Sequence, residues 1–424
     1  MAEALIERAK EIIGNNDLGK YTVPTHGLYP FQWNWDSCLT AIGLAHYDEA
    51  RAWTEIETLF EHQWDDGMVP HIVFHKEDDG YFPGPEVWAT GQFVPTSGIT
   101  QPPVAGFAVR RLFERAKDKD LAAQKVKALI PKIHAWHEWF FRCRDPQSTG
   151  LVAVIHPWET GRDNSIDWDK AFDRVPTDGV LPFTRRDTQH ANPDHRPTQD
   201  QYERYIWLVQ QFRSLGWDNS QLHDNSPFRV VDPGFNAILF RSCADLASLA
   251  EELGESEIAN QARKRCVQGC SAMDDLWSAE TGQFLCYDRV AEELIDSQSV
   301  AGLLAAFAPI GFEKSEKIAA RIENLAKRTK FLVPSHDPED ARFDGRRYWR
   351  GPTWLIVNYM IADGLRQRGL GSVSQKIEDA SIQLIAHSGF AEYYDPQTGE
   401  PCGGKSFTWT AAMVIEFLAN RAST

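Results

Sequence analysis

Apolar side chains recur every three or four positions through most of this 424-residue chain, and that period limits its fold more than any other feature. Between 235 and 253, Phe235, Ile238, Leu239, Leu246, Leu249 and Leu253 fall on one stripe, with Arg241, Glu251 and Glu252 off it, as in a helix buried along one face. Similar stripes occur at about 36–47, 50–62, 102–117, 122–141, 197–214, 255–276, 294–308, 312–327, 352–368, 370–387 and 407–421, which makes twelve beside an amphipathic N-terminal extra. Pro131 lies inside one of them, and its missing amide hydrogen predicts a break or kink there. Strand-like alternation is confined to 68–74, 151–155 and 283–287. Paired helices with no composition break and no Gly/Ser linker predict one all-α domain over 1–424, most simply an (α/α)6 barrel of six helical hairpins in a toroid. A helical solenoid needs a fixed repeat, and the chain has none.

Two connections, about 65–101 and 144–198, far exceed the usual ~2 to 8 residues between helices. Both are dense in Trp, Tyr, Pro and Gly rather than low in complexity, and both are expected to be ordered walls of an active site. Aromatic residues make 12% of the chain, and many of its 15 Trp sit in segments without helical periodicity, as in QWNWD (32–36), HQWDDG (62–67), HPWETG (156–161) and RYWRGPTW (347–354). Rings beside polar groups suit a sugar, which is apolar on its faces and hydroxylated at its edges. The helical Trp53, Trp136, Trp139, Trp207 and Trp277 are expected in the core.

Charge excludes some functions. With 44 Lys+Arg against 60 Asp+Glu the net charge is −16, and no long basic run could neutralise phosphates, which argues against nucleic acid and anionic membranes. No apolar stretch approaches the ~20 residues of a membrane span, and MAEALIERAKEIIG lacks a signal-peptide core, so a cytoplasmic address is expected. Seven scattered cysteines without CxxC are expected to be reduced. The composition is compatible with a homo-oligomer.

Chemistry concentrates in two carboxylate segments. HPWETGRDNSIDWD (156–169) sets Glu159, Asp163, Asp167 and Asp169 among indoles, where desolvation can raise a carboxyl pKa to that of a general acid. DNS alone also reads as a helix-capping turn. In GFAEYYDPQTGEPCGG (389–404), Glu392 follows an apolar pair and precedes two tyrosines, while Asp395, Glu400 and the glycines read as a hairpin turn. Two such carboxyls are what glycoside hydrolysis requires. His71 and His75 have HxxxH spacing without the Glu of a metalloprotease, and no phosphate or dinucleotide loop occurs, so no metal and no cofactor are expected.

QWNWDS (32–37), QWDDGMVPH (63–71), WETGRDNS (158–165), RYWRGPTW (347–354) and EYYDPQTGEPCGGKSFTWTAA (392–412) resemble, in order, the motifs of glycoside hydrolase family 63. That resemblance implies an (α/α)6 barrel and inversion at the anomeric carbon, and is strongest to the bacterial glucosylglycerate and mannosylglycerate hydrolases. It makes Asp163 the general acid and Glu392 the general base. It sets Trp33, Trp35 and Asp36 on the non-reducing sugar, Trp349 and Trp354 as further walls, and Trp158 among the substrate-binding residues. It makes Arg196 and Tyr202 the clamp for an anionic aglycone, with further contacts from Tyr29, Tyr81, Gln101 and Tyr348. Arg162 departs from the apolar residue of several relatives, and its cation would lower the Asp163 pKa unless it points away or pairs with Glu159.

The expected partner is therefore a small α-glycoside with an anionic aglycone. The alternative is a trehalase-like or oligosaccharide glucosidase on a neutral substrate, disfavoured by Arg196. A silent sugar-binding protein would lack one carboxyl of the pair, and both are present.

Overall fold

The computed structural model describes residues 2–422. Its principal helices are α1 (Ala2–Asn15), α2 (Asn34–Leu44), α3 (Glu49–Phe60), α4 (Ala105–Arg115), α5 (Lys119–Cys143), α6 (Gln199–Ser214) and α7 (Pro233–Glu252). They continue as α8 (Ser256–Ala272), α9 (Val300–Leu304), α10 (Phe312–Leu325), α11 (Leu355–Gln367), α12 (Gly371–Ser388) and α13 (Thr408–Ala422). Several start at side-chain caps. Asp48 accepts from the Arg51 amide, Asp118 from Leu121, and Asp232, followed by Pro233, from Gly234 and Phe235. Thr198 and Gln201 form a reciprocal capping box at α6.

Burial divides the helices into two kinds. Every residue of α2 is buried, as is α11 from Leu355 to Leu365, and a helix apolar all round belongs in an interior. By contrast α1, α3, α5, α8, α10 and α12 bury only one face. In space α2 packs on α4, α4 on α7, and α7 on α9 and the 3-10 turn Ala305–Phe307 that follows it. That turn packs on α11, α11 on α13, and α13 returns to α2. The half-exposed helices lie against these: α1 on α13, α3 on α2, α5 on α4 and α7, α8 on α7, and α12 on α11. One contiguous apolar cluster runs through them all.

Several expectations change. The N-terminal segment is no extra, since α1 packs on α13 as the other amphipathic helices pack on their neighbours, whereas α6 lies against the short helix Pro85–Trp88. Pro131 does not end its helix: α5 continues through it for 25 residues. Burial of Ile130, Ile133 and Trp136 on one face outweighs the roughly 3 kcal/mol cost of an interior proline. The stripe at 294–308 is a helix only from Val300, because Glu293–Leu294 pairs as a strand with Tyr287–Asp288. Within 151–155 only Val154 pairs, bridging to Val230. All seven cysteines are free, with Cys270 half-buried and the rest buried. Among the described residues no helix is long and apolar enough to cross a membrane.

Candidate active site

Both long connections and the C-terminal hairpin line one pocket of about 830 Å³, its mouth included. Gln32–Trp33 pairs antiparallel with Ile72–Val73, Trp33 opposite Ile72, and the Asn34 amide donates to the His71 carbonyl at 3.1 Å. This short ladder sets Trp33, Trp35 and Asp36 at the start of α2 beside His71, all facing the pocket. Gln101 accepts from the Trp35 amide at 3.3 Å. Trp158 comes from the 3-10 turn Pro157–Thr160, and Gly161 ends that turn at φ +70°. A Cβ at Gly161 would stand 2.5 Å from the Trp35 ring, so only glycine lets the chain close there and present Asp163 two residues on.

Glu392 stands in the hairpin Ala391–Tyr394 and Pro401–Lys405, 1% exposed. The Tyr29 hydroxyl donates to its Oε1 at 3.0 Å and the Gly404 amide to its Oε2 at 2.8 Å. The Tyr348 hydroxyl lies 3.0 Å from that of Tyr29 and also supports the carboxylate. Arg196 Nη1 is 3.9 Å from Oε1. Burial pushes the Glu392 pKa up, and Arg196 followed by these donors pulls it back. Gly403, at φ +71°, leaves room for the carboxylate, because a Cβ would come within 2.2 Å of Oε2. The two adjacent glycines thus provide the space and the amide that Glu392 needs.

Asp163 is the opposite case. Its carboxyl opens onto the pocket but is enclosed by protein, and its backbone carbonyl is fixed by the Tyr205 hydroxyl at 2.8 Å. Burial raises its pKa to about 7 against the pull of Arg196, with Glu392 and Asp187 adding to the rise. Asp36 is also pushed well above the carboxylate range, by burial first and then by the charge of Glu392. Arg162 leaves Asp163 alone because it points away. Its guanidinium pairs with Asp167 at 2.9 Å and Asp232 at 2.8 Å and lies over Trp168. Glu159 is occupied by Arg144 instead, at 2.7 Å.

Arg196 comes from the second long connection. Asp187 holds its Nε at 3.2 Å and is gripped in turn by Arg185, while the guanidinium lies 4.1 Å over the Tyr348 ring. Tyr81, Tyr202 and Tyr348 line the same space. Trp349 and Trp354, expected as walls, do not. They stack on each other at 3.9 Å and 4°, Trp354 then stacks on Tyr393, and its Nε1 donates to the Tyr348 carbonyl. Their place is behind the wall, where they brace Tyr348. Lining residues not singled out in the sequence as site residues include Asp187, Arg186, His190, Phe407, Trp409 and His71. His71, Phe407 and Trp409 lay within quoted motifs, whereas Asp187 carries no local signal beyond its nine-residue distance from Arg196.

Two carboxyls with opposite hydrogen-bonding environments, one held protonated near neutrality and one surrounded by donors, in an aromatic pocket on a helical scaffold, define a glycoside hydrolase. Residues 29–410 match the family defined as the mannosylglycerate hydrolase MGH1-like glycoside hydrolase domain. Mannosylglycerate hydrolase MGH1 of Selaginella moellendorffii is 45% identical, over 99% of this chain and 86% of that one. The glucosylglycerate hydrolase of Mycolicibacterium hassiacum is 33% identical, over 98% and 97%. The crystal structure of the GH63 mannosylglycerate hydrolase of Thermus thermophilus in complex with Tris superposes with a TM-score of 0.94 at 43% identity, covering 97% of this chain and 99% of that one. The chain belongs to this family, the MGH1-like glycoside hydrolases of family 63.

Proposed function

We propose that the protein is an inverting α-glycosidase that cleaves glucosylglycerate, mannosylglycerate or both to free hexose and glycerate. The observation that carries this is the asymmetry of the two carboxyls. Among the described residues no other side chain donates a hydrogen bond to Asp163, and burial raises its pKa to about 7, so near neutral pH it can hold a proton to give to the glycosidic oxygen. Glu392 is raised by burial too, but it accepts from Tyr29 and Gly404 beside Arg196, which favour its carboxylate form, and it takes a proton from the attacking water. Trp33, Trp35, Asp36 and Trp158 hold the sugar ring; Tyr29, Tyr81, Gln101, Tyr202 and Tyr348 complete the aglycone side around Arg196. An Arg fork matches a carboxylate, and the neutral-disaccharide alternative leaves that cation without a charge to meet. No step calls for a cofactor.

The scaffold we infer is the (α/α)6 toroid, a single domain over 1–424 whose loops at about 65–101 and 144–198 wall the site. The reading is supported by the series of inner helices that returns from α13 to α2 and by the alternation of half-exposed and buried helices along the chain. The enzyme acts in the cytoplasm on a small solute.

The test is hexose release from glucosylglycerate, mannosylglycerate and trehalose, followed by proton NMR in the first turnovers. The β-anomer of the free sugar should appear first from an α-linked substrate. Cleavage of trehalose alone, or first appearance of the α-anomer, overturns the proposal. Asp163→Asn and Glu392→Gln should each lower turnover by about 10² to 10⁴ or more with the fold retained.

A further inference from the structure

His71 sits in the pocket wall without a task in the mechanism above. Its side chain is only 6% exposed, yet among the described residues neither ring nitrogen has a hydrogen-bond partner. Nδ1 is shut away from the cavity altogether, which leaves the Nε2 edge to face it. The ring is held between indoles: Trp158 lies 6.3 Å away and near parallel, while Trp33 and Trp88 meet it edge-on at 6.5 and 6.2 Å. The backbone is fixed as firmly, since the His71 amide donates to the Ile99 carbonyl and its carbonyl accepts from Asn34. A polar group this enclosed and unpaired costs stability unless something else satisfies it.

Burial and the neighbouring His156 lower the pKa of His71 to about 3, so the imidazole is neutral and carries one N–H. A buried N–H with no acceptor is the worse arrangement at Nδ1, and the proton belongs on Nε2, where the cavity can supply an acceptor. The ladder between 32–33 and 72–73 places this donor against Trp33, next to the start of the helix that brings Trp35 and Asp36 to the pocket, the residues assigned above to the sugar.

We propose that His71 donates a hydrogen bond from Nε2 to an oxygen of the non-reducing sugar, as a specificity-determining residue of that side of the pocket. The inference rests on the hydrolase reading. A neutral donor needs an acceptor lone pair, which a hydroxyl supplies and a methylene does not, so removing one sugar hydroxyl should remove the contribution of His71.

The experiment compares kcat/KM of wild type, His71→Phe, His71→Asn and His71→Gln on the preferred glycoside and on its 2-, 3-, 4- and 6-deoxy analogues. Phe keeps the ring without the donor, Asn ends at the Nδ1 position, and Gln places an amide N–H near that of Nε2. Phe and Asn should lose about 10- to 100-fold, and Gln should recover most of it. On one deoxy analogue the loss should vanish, because the acceptor has gone from both sides of the comparison. If His71→Phe does not fold, the Asn and Gln pair makes the same comparison. Equal losses on every analogue, or Gln no better than Asn, would mean that His71 only packs and overturn the inference. A wild type that releases no hexose from any glycoside would instead sink the hydrolase reading.

Discussion

Replacing Arg196 by Gln asks whether one guanidinium serves both the aglycone and the base. Its Nη1 lies 3.9 Å from Glu392 Oε1, and the two side chains are 6% and 1% exposed. At an effective dielectric constant of about 20, unit charges about 4 Å apart attract by about 4 kcal/mol. That equals about 3 pH units on a carboxyl as an upper bound, and the polar Gln side chain and the water admitted in place of the guanidinium reduce the expected shift to about 1 to 2 units. Loss of a cation raises the pKa of a nearby carboxyl. Glu392 must be ionised to act, so the acid limb of kcat/KM moves to higher pH. Asp163 must be protonated, and Arg196 lowers its pKa too, so the alkaline limb moves in the same direction. The whole bell should therefore shift to alkaline pH, on neutral glucosylglycerol as well as on glucosylglycerate, with a further pH-independent loss on the anionic substrate alone. An unmoved profile on glucosylglycerol, with the loss confined to glucosylglycerate, would refute the coupling to Glu392 and leave Arg196 as an aglycone clamp only.

In wild type, the alkaline limb of kcat/KM should fall near pH 7, the value to which burial raises Asp163; a limb above pH 9 would assign the acid to another group. The same shift makes Asp163 a liability to the fold. Its carboxyl ionises at about 7 when folded and at an ordinary 3.8 when unfolded, so the folded protein binds the extra proton and loses stability as pH rises through that window, by at most about 4 kcal/mol. Asp163→Asn should melt several degrees above wild type at pH 8 and level with it at pH 4, and an equal difference at both pH values in calorimetry would contradict this. Gly403→Ala should abolish hexose release while circular dichroism stays native, because its Cβ must displace the Glu392 carboxylate; activity within about tenfold of wild type would show that the hairpin yields.

The 3.6-residue period marked helices that bury a single stripe, and it also found α2 and α11, which are buried on all sides but keep polar residues such as Asp36, Ser37, Asn358 and Asp363 to set a phase. At α9 it fails. Val300, Ala301, Gly302, Leu303 and Leu304 are all buried, and an apolar run without a polar face has no phase to mark its start. The roles of α1 and α6 were illegible for a different reason: both are amphipathic, and period alone does not say which neighbour covers the stripe. Local chemistry, indoles around Asp163 and a glycine turn after Glu392, offered both as candidates, the family resemblance paired them, and the structure brings both to one pocket. Trp349 and Trp354 were misplaced because adjacency to Tyr348 in sequence does not say which ring faces the cavity. Only the packing shows Tyr348 in front, at φ +45°, with the two indoles behind it. His71 was set aside with metal spacing, and the isolation of its ring nitrogens from the donors and acceptors of the described residues is a fact of three dimensions.

The division between charged and aromatic support follows from what each carboxyl must do. As the proposed acid, Asp163 gains from having few donors on its carboxyl, where its own backbone amide and the Arg196 charge oppose the effect of burial. Its position comes from the chain on either side: Gly161 closing on Trp35, the Tyr205 hydroxyl on the Asp163 carbonyl, and Asn164 accepting from the Trp349 amide. Beneath it, Arg162 ties Asp167 and Asp232 together, which fixes the loop with cationic groups turned away from the acid. A buried cation of this kind contributes little net stability, yet removal of one partner leaves an unpaired buried charge and costs about 3 to 5 kcal/mol. Glu392 is under no such restriction, and the hairpin, two phenols and an arginine all bear on its oxygens directly. In the proposed mechanism the acid is therefore held mainly through its backbone and the base through its side chain, and burial raises both carboxyls while the donors around Glu392 oppose the rise there.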